Sequence, residues 1–527
     1  MLQLNAKLQS LIRALWDRFW SGGISNPLSA IEQITYLLFM KQIDELDLKR
    51  EKDAIFTGDT FNSRFKGEFF LPSDTEKKNP IDKATLRWSY FKQLKAELML
   101  PHVQQYVFPF IKELNGDGSA FTRHMANAVF LIPSANLLQG AIAVIEDIFV
   151  EIDREAREEG QLFQDIQGDV YEMLLNEISS AGKNGQFRTP RHIIKLISEL
   201  VNPQLGHRIC DPACGTAGFL LDAYQYIITQ LALNNATNGQ TFTPDNDGFV
   251  RNSLSGMLTQ DNKDILEQSL NGYDFDATMV RLALMNLMMH GIDNPHVDYQ
   301  DTLSKGFTEE SQYDIVMANP PFTGSIDRDD ISDLLHLRTT KTELLFTERI
   351  FTLLRIGGTA GIIIPQGVLF SSGGAFVEGR KKLVEEAELK AVISLPGGVF
   401  KPYAGVATAI LVFTRGGKTE HTWFYQVEND GLSLDDRRKR VEGSDLSDVV
   451  AQWKSRNPQH PGDRKDKFFF VPVQEIRDKL YDLSFNRYHE ATDDKSVCEE
   501  PRVILQKLKA IEDRIQQGIT ELEGILR

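Results

Sequence analysis

The sequence predicts an α/β protein, with a doubly wound domain of seven parallel strands between an all-helical N-terminal domain and a C-terminal coiled-coil-like helix. Three patterns support this. Apolar residues recur at three- and four-residue spacing up to about residue 155, short apolar runs alternate with amphipathic segments from about residue 160, and a heptad pattern follows Pro501. The predicted domains are residues 1–155, 156–480 and 481–527.

Two amphipathic patterns predict long helices at the start of the chain. The first comprises Leu8, Leu11, Ile12, Leu15, Trp16 and Phe19, and the second Ile31, Ile34, Leu37, Leu38, Ile43 and Leu46. Residues 53–90 break the pattern with polar residues and scattered phenylalanines. We therefore expect a long loop there, inside an otherwise helical domain.

Seven short apolar runs predict the strands of the second domain. Because helical patterns separate several of them, a parallel sheet with crossover helices is expected. The runs are residues 208–210, 272–274, 296–299, 314–318, 361–364, 390–395 and 408–413.

The tail carries a heptad seam about three repeats long, interrupted where Gly518 takes a seam position. A seam this short is unstable by itself. We expect it to pack on the N-terminal helices of this chain or on a partner subunit. Its apolar residues are Ile504, Leu508, Ile511, Ile515, Leu522 and Ile525.

The composition indicates the cellular compartment in which the protein is expected. The chain has 527 residues, of which 42% are hydrophobic and 25% charged, as in soluble proteins of several domains. It shows neither a signal-peptide pattern nor an apolar run long enough to span a bilayer, so a cytoplasmic protein without membrane contact is expected. Cys210, Cys214 and Cys498 form no CxxC pair, and no metal site is expected.

The formal net charge of −16 predicts weak DNA binding by the chain alone, because Lys and Arg supply most non-specific affinity for phosphates. Two basic runs, residues 380–382 and 437–440, lie among acidic residues. This context favours a solvated surface over a DNA contact. If DNA is the substrate, a partner should supply most of the affinity.

A loop of small residues follows the first predicted strand. Residues 211–219 read DPACGTAGF and precede a predicted helix over residues 220–231. Glycines at the carboxyl edge of a doubly wound sheet let a nucleotide approach the backbone closely. The spacing matches neither GxGxxG nor a phosphate-binding loop. The candidate cofactor-binding residues here are Asp211, Ala213, Gly215, Thr216 and Gly218.

Acidic residues follow the next two predicted strands. Asp274 could accept hydrogen bonds from both ribose hydroxyls of a bound adenosine, and Asp301 lies where an adenine amino group would need an acceptor. Taken singly, such acids are more often helix caps or surface charges. Three acids at successive strand ends, counting Asp211, favour a nucleoside-cofactor site.

The fourth strand leads into Asn319, Pro320, Pro321 and Phe322. A nucleobase amine is a poor nucleophile because its lone pair is delocalised into the ring. An Asn carbonyl and a backbone carbonyl can hold both amine hydrogens, two prolines keep the loop extended, and Phe322 offers a face for a base. A rigid turn with a buried Phe is equally compatible with these four residues alone, but their position beside a cofactor site favours amine activation.

Together, DPACGTAGF, GYD and NPPF resemble the S-adenosylmethionine-dependent amino-methyltransferases of DNA. Residues 184–193, NGQFRTPRHI, resemble the cofactor-binding motif that precedes the glycine loop in this class. The resemblance implies that Phe187 and Thr189 cover the methionine or adenine end of the cofactor. It also places Gln186, Pro190 and Asn319 among the cofactor contacts.

Two further segments, LDDRR at residues 434–438 and DLSFNRY at 482–488, resemble the modification subunit of type I restriction-modification systems, as do the helical start and the heptad tail. This implies a Rossmann-like methyltransferase domain that methylates adenine N6 in double-stranded DNA, using S-adenosyl-L-methionine. The implied partners are a specificity subunit, a second copy of this chain and a restriction subunit. Because GxxxxGK[ST] is absent, ATP-driven translocation and cleavage would belong to another chain.

Two alternatives remain open. The same tetrapeptide could methylate an amino group in RNA or a glutamine side chain in a protein, and the chain could bind S-adenosylmethionine as a scaffold without turnover. Methylation of cytosine N4 is disfavoured, because a Ser usually stands at the position of Asn319 in that group.

Overall fold

The computed structural model describes residues 6–58, 60–159, 189–235, 242–245, 247–251 and 258–490, together with Lys509 and Glu512. The heptad seam, Gln186 and Phe187 lie outside these residues. Within the described ranges, no helix combines the length and apolar character needed to cross a bilayer.

The N-terminal region is helical. Its first predicted pattern is confirmed, because Leu8, Ile12, Leu15 and Phe19 form the buried face of the first helix. Asn26 begins the second helix by accepting a hydrogen bond from the Ser29 N–H (3.3 Å), a common N-cap arrangement. The helices are α1 (Ala6–Ser21), α2 (Pro27–Thr57), α3 (Trp88–Phe91), α4 (Ala96–His102), α5 (Phe108–Lys112), α6 (Ala120–Met125) and α7 (Ala135–Glu159).

The prediction of an all-helical region with one long loop was wrong between α2 and α3. Two short strands pair there in antiparallel fashion, β1 (Glu68–Phe69) and β2 (Ile81–Asp82). Two of the scattered phenylalanines belong to the core, since the rings of Phe65 and Phe69 each lie 5.4 Å from that of Phe110. Two-residue strands are too short to produce an alternating pattern, so no periodicity could predict them.

A nine-stranded sheet forms the second part of the molecule, in the order β11-β10-β8-β9-β7-β6-β3-β4-β5. All seven predicted strands are present, but the predicted number was too small. The strands are β3 (Ile209–Asp211), β4 (Leu270–Asp274), β5 (His296–Tyr299), β6 (Tyr313–Ala318), β7 (Leu354–Pro365), β8 (Ala387–Leu395), β9 (Thr408–Arg415), β10 (His421–Gln426) and β11 (Phe468–Pro472).

Two strands depart from the predicted parallel direction. β9 runs antiparallel to both β7 and β8, and β11 runs antiparallel to β10. No helix separates β8 from β9, and a parallel return normally needs a crossover helix. The short connection at residues 396–407 therefore explains why β9 turns back.

Helices cover both faces of the sheet, so strand residues that point to either side are buried. Along β6, Ile315 and Met317 join one core while Val316 and Ala318 join the other. The flanking helices are α8 (Arg191–Val201), α9 (Gly218–Asn234), α10 (Gln260–Ser269), α11 (Ala277–Met289), α12 (Thr342–Leu353), α13 (Gly367–Phe370), α14 (Gly374–Glu385), α15 (Leu446–Ser455) and α16 (Val473–Asp478).

Ion pairs tie the N-terminal helices to the β4–β5 side of the sheet. Arg281 of α11 contacts Glu32 of α2 at 2.5 Å. Asp293, which precedes β5, contacts Arg50 at 3.2 Å and Arg64 at 3.0 Å. These contacts fix where the helical region sits relative to the ends of β4 and β5.

Gly361 lets α8 lie directly on β7. A Cβ at this position would stand 2.7 Å from both Ile197 Cγ2 and Val201 Cγ1. We expect Gly361→Val to lower the free energy of unfolding by about 1–3 kcal/mol or more, because the helix must shift. Denaturant unfolding measures this, with Gly374→Ala as the control, since nothing lies within 4 Å of the added methyl there. Equal stability of the two variants would contradict the close approach.

Candidate active site at the carboxyl edge of the sheet

The sheet order brings the predicted site residues to one edge. β3 pairs in parallel with β4 on one side, through Asp211 opposite Gly272, and with β6 on the other, through Cys210 opposite Val316. Asp211, Asp274 and Asn319 therefore occupy neighbouring strand ends. From β3 the chain continues to β4 and β5 on one side, and from β6 it continues to β7 on the other. Doubly wound sheets bind ligands at such a switch point.

The glycine loop after β3 is held from β4 and α11. Asp274 Oδ2 accepts a hydrogen bond from the Gly215 N–H at 2.9 Å. Asn286 Nδ2 donates to the Thr216 carbonyl at 2.8 Å. The acid at the end of β4 thus fixes the loop that follows β3.

Left-handed backbone conformations shape the same loop. Gly215 has φ +52°, and open space lies where its side chain would be. Ala217 has φ +64°, a conformation that costs energy for a residue with a Cβ and often marks a functional loop. A Cβ at Gly218 would lie 3.0 Å from Ile194 Cδ1, so this glycine lets α9 approach α8.

Asp211 is buried and forms no ion pair with any described residue. Its Oδ1 accepts a hydrogen bond from the Ala213 N–H at 3.1 Å. Burial, with a smaller contribution from the nearby Asp274 carboxylate, raises the pKa of Asp211 to about 8. A buried acid without a cationic partner suits a ligand that brings a positive charge.

Asp211 should make stability depend on pH. Its pKa of about 8 lies above the ordinary 3.8, so the folded chain keeps a proton that the unfolded chain releases. Its contribution is therefore present at low pH and lost as pH rises from about 4 to about 8. We expect wild type to lose more than about 1 kcal/mol of stability relative to Asp211→Asn between about pH 6 and about pH 8. Denaturant titrations at both pH values measure this, and parallel changes in the two proteins would contradict the raised pKa.

Asp301 is exposed and follows Gln300, whose N–H donates to the Asp274 carbonyl at 2.9 Å. Its Oδ1 accepts a hydrogen bond from the Leu303 N–H at 2.9 Å, so it also caps its own turn. The turn is joined to the glycine loop, because Thr302 Oγ1 donates to the Pro212 carbonyl at 3.0 Å.

The predicted upstream segment ends at the start of α8. Thr189 is buried, and the Pro190 carbonyl accepts the first helical hydrogen bonds, from the Ile193 and Ile194 N–H groups at 3.0 and 3.1 Å. Next to them, His192 Nε2 lies 2.9 Å from Asp430 Oδ2. The start of α8 is thus anchored to a segment far along the chain.

The side chain of Asn319 is the most informative polar group of this edge. Its Oδ1 and Nδ2 atoms are both buried, and neither makes a hydrogen bond with a described residue. A buried polar group left without a partner costs roughly 1–3 kcal/mol. The Nδ2 donor and the Oδ1 acceptor of Asn319 are therefore both available to a ligand.

Comparison with known protein families shows which family of enzymes this chain belongs to. The model of the family described as N-6 DNA Methylase matches residues 163–496, and that of the HsdM N-terminal domain matches residues 8–145. The chain belongs to the N-6 DNA methylase family. It is an adenine-specific DNA methyltransferase of the type I restriction enzyme kind.

Similar proteins agree with this assignment. The methylase is 26% identical to the EcoEI type I methylase subunit of Escherichia coli, over 98% of this chain and 97% of that protein. It is 33% identical to the StySPI methylase subunit of Salmonella potsdam, over 52% of this chain and 51% of that protein. Its fold matches a chain of a solved type I R-M system with TM-score 0.64 and 25% identity, over 99% of both chains. It also matches the type I methyltransferase subunit of Streptococcus thermophilus with TM-score 0.63 and 19% identity, over 92% of this chain and 100% of that one.

The methylase has a second aromatic ring beside its NPPF loop, which the sequence reasoning missed. Phe322 is only 4% exposed, and its ring meets that of Phe400 edge to face, with centroids 5.2 Å apart. Phe400 lies in the loop between β8 and β9. An aromatic residue after the glycine pair Gly397-Gly398 at a strand end was the available signal, but its pairing with Phe322 depends on the sheet order.

Proposed function

We propose that this methylase acts on an adenine rotated out of duplex DNA, with the acceptor base on the β6 loop and S-adenosylmethionine on the loops after β3, β4 and β5. The unpaired, buried amide of Asn319 carries the proposal. It stands at the strand end next to Asp211, so the acceptor and cofactor halves adjoin. A base inside a duplex cannot reach a buried amide without extrusion.

The residues at the β3 and β4 ends suit S-adenosylmethionine. Asp211 is a buried acid that lacks a cation, and the cofactor carries an ammonium group; the open space at Gly215 admits a ligand to the backbone. Asp274 Oδ2 accepts a hydrogen bond from the Gly215 N–H, and its Oδ1 accepts one from the Asp276 N–H, both at 2.9 Å. Each oxygen retains a lone pair for a ribose hydroxyl. S-adenosylmethionine supplies an electrophilic methyl group. Asp301, Thr189 and Pro190 complete the proposed cofactor side, with Gln186 and Phe187 added from the family resemblance.

The acceptor half activates the amine. Asn319 Oδ1 and the Pro320 carbonyl accept the two N6 hydrogens, which draws the nitrogen lone pair out of the ring. Phe322 is the proposed aromatic contact for the base, and the ring of Phe400 supports it edge to face. No side chain is assigned as a general base, because the nitrogen becomes cationic on methylation and then loses its proton readily. Positioning and electrostatics supply most of the rate.

We further propose that a separate specificity subunit supplies target recognition. The chain has a net charge of −16, which suits a protein that relies on a partner for DNA affinity. The tail, residues 481–527, is the proposed surface for this subunit, and the proposed catalytic domain is residues 156–480. A second copy of the chain and a restriction subunit complete the proposed assembly.

Methyl transfer by the full chain, purified with its specificity subunit, tests the function. After incubation with labelled S-adenosylmethionine and duplex DNA, the DNA is digested and its nucleosides are identified. We expect N6-methyladenine. Label only in N4-methylcytosine, RNA or protein would contradict the substrate, and cofactor binding without any transfer would indicate a scaffold.

A further inference from the structure

We propose that residues 430–441, here called the arm, place Arg437 against a DNA phosphate beside the extruded adenine. This inference rests on the proposed function. It assigns a DNA contact to a basic run whose sequence context favoured a merely solvated surface. Three features of the arm support it: its internal order, its attachment to both halves of the site, and the distribution of its charges.

Internal hydrogen bonds hold the arm in one shape. At its base, the Val441 N–H donates to the Gly431 carbonyl at 3.1 Å. Nearer the tip, the Ser433 N–H donates to the Lys439 carbonyl at 2.6 Å. Asp435 Oδ1 closes the tip by accepting from the Ser433 hydroxyl at 2.9 Å and the Arg437 N–H at 3.0 Å. A contact made from this tip would be pre-organised.

The base of the arm is attached to the cofactor half. Asp430 is buried and lies between His192 Nε2, at 2.9 Å, and the Arg438 guanidinium. His192 belongs to α8 and follows Pro190 by two residues. Burial alone would raise the pKa of Asp430, but the hydrogen bonds from His192 and Arg438 more than offset it and hold that pKa below its ordinary value.

The tip of the arm rests on the acceptor half. A Cβ at Gly398 would stand 2.6 Å from the Leu434 carbonyl oxygen, so the arm touches the β8–β9 loop closely. Lys401 Nζ lies 3.4 Å from Asp436 Oδ1. Gly398 and Lys401 flank Phe400, the residue that packs on Phe322. The tip therefore lies against the loop that carries Phe400, on the acceptor side of the proposed site.

Within the described residues, two of the four basic residues of the arm form ion pairs and two do not. Arg438 turns inward to Asp430, and Arg440 pairs with Asp247 at 2.7 Å. Arg437 and Lys439 are exposed, and their side chains make no hydrogen bond or ion pair with any described residue.

An extruded nucleotide stays bonded to its flanking phosphates, so an adenine bound at the NPPF loop would bring those phosphates near the β8–β9 loop and the tip of the arm. The acids of the tip are already engaged, Asp435 by its own turn and Asp436 by Lys401. A guanidinium can hold a phosphate with two parallel hydrogen bonds. Arg437 is therefore placed to hold the backbone of the target strand without reading its sequence.

The salt dependence of DNA binding tests this contact. With the full chain in complex with its specificity subunit, affinity for a duplex that carries the target is measured from about 50 to about 200 mM salt. We expect Arg437→Ala to reduce the slope of log affinity against log salt by about 0.9, the value for one phosphate contact. Arg437→Lys should restore most of the slope, and S-adenosylmethionine affinity should stay unchanged in both variants.

Lys418→Ala is the matched control, because Lys418 is exposed in the turn after β9, at the opposite edge of the sheet. Its slope should equal that of wild type. An unchanged slope in Arg437→Ala, or an equal change in Lys418→Ala, would overturn the assignment of the arm. If the wild-type complex methylates adenine normally while either result holds, only this inference fails; if it forms no N6-methyladenine, the proposed function fails instead.

Discussion

Replacement of Asn319 by alanine is expected to lower the single-turnover rate of adenine methylation by at least about a hundredfold. The amide is buried and unpaired, so its loss removes the acceptor that draws the amine lone pair out of the ring without breaking a hydrogen bond between described residues. The S-adenosylmethionine affinity should remain close to that of wild type. Rapid-quench assays on the complex, with calorimetry for the cofactor, measure the two quantities.

Asn319→Asp serves as the matched variant, because it keeps the shape and one acceptor oxygen while removing the donor. It should retain more activity than Asn319→Ala. Undiminished methylation by Asn319→Ala would remove this residue from the acceptor site. An equal loss in cofactor affinity and rate would instead place Asn319 on the cofactor side.

Asp274→Ala is expected to weaken S-adenosylmethionine binding by about tenfold to a hundredfold, as for the loss of hydrogen bonds to a charged group. The change removes the proposed ribose acceptor and frees the Gly215 N–H, which Asp274 holds at 2.9 Å. At saturating cofactor, the variant should still methylate DNA, because the Asn319 side is untouched.

Asp276→Ala is the control for lost charge near the same strand end. Asp276 caps α11 by accepting from the Thr278 N–H at 2.8 Å, so its removal should cost stability of about 1 kcal/mol but little cofactor affinity. Cofactor affinity that stays at the wild-type value in Asp274→Ala would show that the ribose is not bound there.

Local pattern was enough to predict most of the sheet, including β5 at one edge, but not β10 and β11 at the other. The apolar runs at β3 to β9 were visible because each is short, buried and bounded by polar segments. β10 and β11 were missed although their aromatic residues pair across strands, as Trp423 does with Phe470. The pairing of β6 with β3 rather than with β5 is a non-local fact that no local pattern carries.

The candidate site, like the sheet, could be predicted only in part from the sequence. Strand-end acids and the NPPF loop could be located from sequence, because parallel strands place such residues at one edge. The placement of Phe400 and of the arm at this site could not be predicted, since residues 396–441 reach Phe322 and His192 only through the folded sheet. The unpaired state of the Asn319 amide is likewise a property of its three-dimensional surroundings.

The central claim is that the site has two separable halves, and the most direct measurement compares Asn319→Ala and Asp274→Ala side by side for cofactor affinity and for single-turnover methylation at saturating cofactor. The two-part site predicts opposite patterns: Asn319→Ala binds the cofactor normally and fails to transfer, whereas Asp274→Ala binds it weakly and still transfers. Loss of both quantities in both variants, or the reverse pattern, would contradict the account.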